Sequence, residues 1–260
     1  MERAQLEKLI SFVGEIASLP ENEWFKEELL IKMGFSVESS IVPAPILKVY
    51  EQCVRDIIQS HAEKFYEGLK IPDKIKLDLI KDYVRMENFR REDRFDDFCL
   101  AAFQQLEQLL NYCIQIPDCI NFIRLNLNSK TSYFVNFSTH EEIESGGTVQ
   151  GLLFYNDVKR IEKFLDSDPR GWTFKYKFRV VLFYFGFGGR LKGGQGDYDR
   201  LFELGDALYL GRNLNHRGTE LRHNAEKLDT LKSEEHKYYF KFLGFLEEFI
   251  SRVNQQLISL

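Results

Sequence analysis

The residues with the most chemistry in this chain lie in one stretch, Leu208-Tyr-Leu-Gly-Arg-Asn-Leu-Asn-His-Arg-Gly218. Arg212 and His216 stand four apart, a spacing that stacks two side chains on one face of a helix, a turn from each other. A guanidinium beside an imidazole suits a phosphodiester: the fixed charge holds the phosphate, and the group that titrates near neutrality moves a proton. Asn213 and Asn215 add donors close by. The same residues ahead of Gly218 also read as a helix C-terminus, where cations meet the negative end of the helix dipole and glycine ends the helix. The segment alone leaves both readings open, and the elements that must position it have to decide.

Composition sets the frame. The chain has 260 residues, 44% hydrophobic and 29% charged, which predicts a folded globule with 23 Phe and 12 Tyr for a bulky core. A formal net charge of −5 argues against a broad cationic surface for duplex nucleic acid. No run of about 18 apolar residues occurs, so no membrane span is expected, and the charged, amphipathic start is unlike a signal peptide; a cytoplasmic protein is the expectation. Cys53, Cys99, Cys113 and Cys119 lie in or beside apolar helical runs without a CxxC pair, and the five histidines lack zinc-like spacing. Buried reduced thiols and no metal or other cofactor are expected.

Hydrophobic periodicity predicts a mainly α protein. Helices are expected over 2–18, from about Ser18 to Met33, over 46–66 and over 72–89, with a Pro-containing linker at 35–45. These make an N-terminal helical region, 1–90, in which no chemistry stands out; His61 reads as solvated. The strongest amphipathic pattern follows, with Phe95, Phe98, Cys99, Ala102, Phe103, Leu106, Leu109, Leu110 and Cys113 on one stripe. Residues 120–174 accumulate Ser, Thr, Asn and Gly and read as an irregular insertion. It carries β-like pieces at 133–137 and 149–155, a candidate hairpin, and a short helix at Val158–Leu165. Residues 175–187 are so aromatic that a strand is compatible with composition, but a buried helix fits the sequel better. The glycine-rich 186–196 lacks the Gly-Lys-Ser/Thr of a phosphate loop and reads as a connector. A helix from Tyr198 to about His216 buries Leu201, Leu204, Gly205 and Leu208, and Arg212 and His216 extend that stripe. A polar connection at 218–232 precedes a closing helix over 233–257.

In this order the pieces resemble the HEPN superfamily. Its members are four-helix bundles that carry an Arg, a polar residue and, a few positions on, a His; the phrase Leu100-Ala-Ala-Phe-Gln-Gln-Leu-Glu-Gln-Leu-Leu-Asn111 is similar to the family's first core helix. The resemblance covers roughly 90–125 and 175–257. It implies a HEPN-like bundle over 91–257, interrupted by the insertion, with the motif on Arg212, Asn213 and His216. The interval between Arg212 and His216 is shorter than the family's. Arg217 and His223 have a matching interval, but Gly218 follows that Arg where a polar residue is expected.

What the resemblance implies about function is metal-independent RNA cleavage, in a homodimer whose two motifs converge. His216 would act as general base or acid, Arg212 would hold the phosphate, and Asn213 would orient either group. Arg217, Arg222 and His223 are expected to bind RNA. A phage-defence or toxin role implies a defence-system or antitoxin partner. Ten Lys and Arg against five Asp and Glu between Arg170 and His223 give that segment a net +5. Lys175, Lys177 and Arg179 read equally well as a solvated face. The alternative function is a non-catalytic helical module that binds RNA or a protein.

Overall fold

The computed structural model describes residues 3–18, 22–32, 44–135, 142–154, 158–192, 195–213 and 225–259. The chain is mainly helical and divides by its contacts into Met1–Asp56 and Ile57–Leu260. The first unit holds α1 (Arg3–Ser18), α2 (Glu23–Lys32) and the start of α3 (Ala44–Glu67). There the Asn22 amide donates to the Ile16 carbonyl at 2.9 Å, tying the entry of α2 to the end of α1. The linker expected at 35–45 lies almost wholly outside the described residues.

The second unit is built on α5 (Phe95–Cys113). Its apolar stripe repeats at three and four residues, and all nine stripe residues named above are buried. α4 (Asp73–Arg91) lies against one side of it. The contact includes a buried polar chain: the Tyr66 hydroxyl, from the end of α3, donates to Gln105 Oε1 at 2.6 Å. The Gln105 amide in turn donates to the Ala101 carbonyl at 3.2 Å and to Met86 Sδ at 3.3 Å. A buried amide left without partners would cost about 1–3 kcal/mol, so this network fixes the register of three helices.

The other side of α5 meets three elements. α9 (Phe174–Val181) runs directly into a π-helical turn, Leu182–Gly186. After it come α10 (Gly196–Gly211), α11 (Ala225–Ser233) and α12 (Glu235–Ser259). The aromatic 175–187 stretch is therefore helical, as its context requires. Every residue from Lys177 to Gly186 is buried, so this helix has hardly any wet face. Phe178 is the hub: its ring meets Phe245 and Phe249 of α12 at 6.0 and 5.7 Å. At the far end Phe95 and Phe98 of α5 hold Tyr239 edge-on at 5.1 and 4.8 Å. α5, α9 with its π turn, α10 and α12 thus surround one core.

Three thiols behave as expected and one does not. Cys99, Cys113 and Cys119 are buried and free, and burial pushes each thiol above its ordinary pKa; Cys53 is exposed. His61 is exposed, as its polar surroundings predict.

Residues 120–174 are more ordered than their composition suggests. α6 (Pro117–Asn126) opens with Pro117 in its first turn. β1 (Lys130–Val135) and β2 (Glu142–Thr148) pair antiparallel, and β3 (Leu191–Lys192) joins β1 in parallel, giving the order β2-β1-β3. The hairpin is real, but its second strand precedes the expected one: 149–154 is α7 (Val149–Phe154). Val149, Gln150, Leu153 and Phe154 are buried at helical spacing, and Thr148 Oγ1 accepts from the Gly151 N–H at 3.1 Å. α8 occupies Val158–Leu165, where the pattern placed it. Phe154, Phe164, Trp172 and Tyr176 then form a ring cluster, with Phe164 stacked on Trp172 at 4.3 Å, that docks the insertion on α9. The polar connection expected at 218–232 also contains structure, because α11 buries Leu228 and Leu231 three apart.

Candidate functional site

α10 is seated by two glycines. A Cβ at Gly205 would lie 2.1 Å from the Phe178 ring, and one at Gly211 would lie 2.9 Å from Cys99 Sγ. Only a residue without a side chain lets α10 come this close to α9 at its middle and to α5 at its end. α-Helical geometry stops at Gly211, and Arg212 is the C-cap, its N–H donating to the Leu208 carbonyl at 3.1 Å. The helix expected to continue to about His216 is therefore shorter. Asn213 follows, with its N–H on the Leu210 carbonyl at 3.0 Å. Both residues are half-buried. His216, Arg217, Arg222 and His223 lie outside the described residues, as does Asn215.

The Arg212 guanidinium lies over two rings, 4.2 Å from the centroid of Phe103 and 4.5 Å from that of Tyr209. Phe103 is a buried residue of α5, and Tyr209 precedes Arg212 by one turn of α10. Phe174, the first residue of α9, stacks on Tyr209 at 4.8 Å with an interplanar angle of 3° and meets Phe103 at 5.1 Å. Rings from α5 and α10, backed by Phe174 of α9, thus brace one cation. A cation on aromatic faces gains roughly 0.5–2 kcal/mol, more as water is excluded. The rings limit where the guanidinium points without neutralising it, as a carboxylate would.

Further cations on α9 and α11 have partners of their own. Lys175 Nζ is 3.1 Å from Asp206 Oδ1, and Lys227 Nζ is 3.9 Å from Asp206 Oδ2. Asp206 and Asn213 are seven apart, and the two lysines reach Asp206 from α9 and α11. Lys177 is buried and donates to Asn111 Oδ1 at 2.8 Å. The solvated-face reading of Lys175, Lys177 and Arg179 therefore holds for Lys175 alone: Lys177 and Arg179 are buried, and Arg179 lies over the Phe202 ring at 4.5 Å. Phe178 is fully buried core.

The aromatic brace is the part that motif reasoning missed. Phe103 reads as one more apolar residue of the α5 stripe, and Phe174 falls at the edge of a low-pattern insertion. Tyr209 carries the one available signal: a Tyr three residues before an Arg at a helix end can pass its ring under the guanidinium. Among the described residues, no group of His, Cys, Asp and Glu is placed to hold a metal ion, and no helix is long and apolar enough to cross a membrane. No family model, curated protein or solved structure matches the chain.

Proposed function

We propose that the chain is a HEPN-like endoribonuclease whose site is centred on Arg212, Asn213 and His216. The observation that carries this reading is the Arg212 guanidinium, half-buried at the end of α10 and braced by Phe103 and Tyr209. A preset positive charge in a partly dry setting is what a phosphodiester needs as charge builds on its oxygens. His216 supplies proton transfer to or from the ribose 2′-OH and the leaving 5′-oxygen. A 2′-OH nucleophile makes RNA the substrate and leaves a 2′,3′-cyclic phosphate, with no metal in the scheme. Two copies related by a twofold axis would bring two such motifs into one cleft. The setting proposed is phage defence or a toxin system, with Arg217, Arg222 and His223 adding RNA contacts.

The test is cleavage of RNA by the purified full chain in EDTA. Wild type cleaves; His216→Ala reduces cleavage at least a hundredfold with helicity and oligomeric state unchanged. Wild-type protein inert towards structured and unstructured RNA alike would sink the reading.

One observation favours a second reading, a non-catalytic module that binds RNA or a protein partner. α10 ends at Gly211 with Arg212 as its C-cap, a cation on two rings that can hold an anion without a proton-transfer partner. This reading predicts salt-sensitive RNA binding without turnover, weakened by Arg212→Ala.

A further inference from the structure

A second polar site lies at the opposite end of α10 and does not depend on the role of Arg212. A cavity of about 430 Å³ opens between the β2–α7 corner and the start of α10. Gly147, Thr148, Gly151 and Leu152 form one wall; Gln195, Tyr198, Asp199 and Phe202 form the other; Arg179 is also in the lining. Its size falls within the range of about 300–1,000 Å³ usual for small-molecule sites. Phe202 is ten residues from Arg212, so at 1.5 Å per residue the two sites are about 15 Å apart along the helix.

Two features of this cavity suit an oxyanion. Arg179 is 7% exposed, with its guanidinium over Phe202 at 4.5 Å. A guanidinium offers five N–H donors in a planar fork and can serve a protein partner and an oxyanion together. The second feature is the N-terminus of α10, a 16-residue helix whose N-cap, Gln195, makes no side-chain cap hydrogen bond. Thr148 Oγ1 accepts from the Gly151 N–H, which leaves its own proton to donate. Of the two acids in the first turn of α10, Asp197 is ion-paired with Arg200 and Arg252, at 3.5 and 3.8 Å. Asp199 is the one that lines the cavity, and it is exposed.

We propose that this cavity binds a small organic anion, a phosphate monoester or a carboxylate, whose oxyanion meets Arg179 and whose other end carries hydroxyl donors for Asp199. The buried cation sets the orientation, and the acid at the rim rejects a ligand that is anionic at both ends.

Calorimetric titration of the full chain tests this with glucose 6-phosphate and gluconate, which share a polyol end and differ in the oxyanion. Inorganic phosphate and glucose serve as half-ligand controls. At least one of the two polyol anions binds tenfold or more tightly than either control, and the stronger of the two names the oxyanion. Gly147→Trp blocks the site: Gly147 lines the cavity, and a Cβ there meets nothing within 4 Å, so the side chain starts in open space. Binding then falls at least tenfold while the melting temperature is kept. Arg179→Gln gives the same loss where circular dichroism shows it folded. The proposal is overturned if neither polyol anion exceeds the controls, or if Gly147→Trp leaves affinity unchanged.

Discussion

At the scale of the residue, Arg212 is held by faces, not by charges. Phe103 and Tyr209 confine the guanidinium while leaving its edge for an oxyanion, and a lysine could not reproduce this because a point charge has no plane to stack. Phe103→Leu keeps an apolar side chain under α10 but removes the ring face. Stability should fall by about 1 kcal/mol in urea denaturation, while RNA cleavage falls at least tenfold. Arg212→Lys should cost about 0.5–1 kcal/mol in the same assay as the stacking on the two rings is lost, and still lose most cleavage. If Arg212 only caps a helix, Arg212→Lys keeps the cation at the dipole and will instead leave cleavage near the wild-type level. The site was partly legible in the chain itself: Arg212 and Asn213 stand out by type and spacing. The brace did not, because its members come from three helices, and ring contacts between distant segments leave no local pattern.

At the scale of the element, α10 carries both proposed sites, one at each end, and its seat depends on close approach at Gly205 and Gly211. Gly205→Ala would drive a methyl into the Phe178 ring. The helix must move outward, so a loss of about 1–3 kcal/mol is expected from chemical denaturation, although alanine is the better helix former. Gly211→Ala presses on Cys99 Sγ, next to Arg212, and should cost less stability but more activity. A rise in stability for Gly205→Ala would show that the close approach is not as described. The long stripes of α5 and α12 were legible because burial on one face imposes a period of 3.6 over many turns. α7 and α11 were not. Each is short, and in α7 a β-branched valine sits just past Thr148, where a strand and a capped helix look alike. The π turn at Leu182–Gly186 was hidden for another reason: all its residues are buried, so no polar face marks the change of pitch.

At the scale of the whole molecule, the chain carries a net charge of −5. Acids collect where α5 and α12 begin. Burial raises the pKa of Glu235, helped by the charges of Asp96 and Asp93, and burial raises Asp96 too. A carboxyl whose folded pKa lies above its unfolded one destabilises the fold while ionised, and that cost is relieved as pH falls through the folded value. Glu235→Gln should therefore raise stability at pH 7 by up to about 0.5 kcal/mol, with the gain vanishing near pH 3.5, where wild type is protonated. Thermal melts at the two pH values check this, and an equal gain at both would refute it. The basic segment that carries Arg212 is the one proposed to meet RNA.

The basic segment is proposed to cut RNA by 2′-OH attack, with Arg212 on the phosphate. The most direct measurement is end-group analysis of labelled RNA incubated in EDTA with wild type and with Arg212→Ala. The account predicts 2′,3′-cyclic phosphate ends from wild type and at least a hundredfold fewer from the variant at matched folding. Products with 3′-hydroxyl ends, cleavage abolished by EDTA, or equal cleavage by the variant would contradict it.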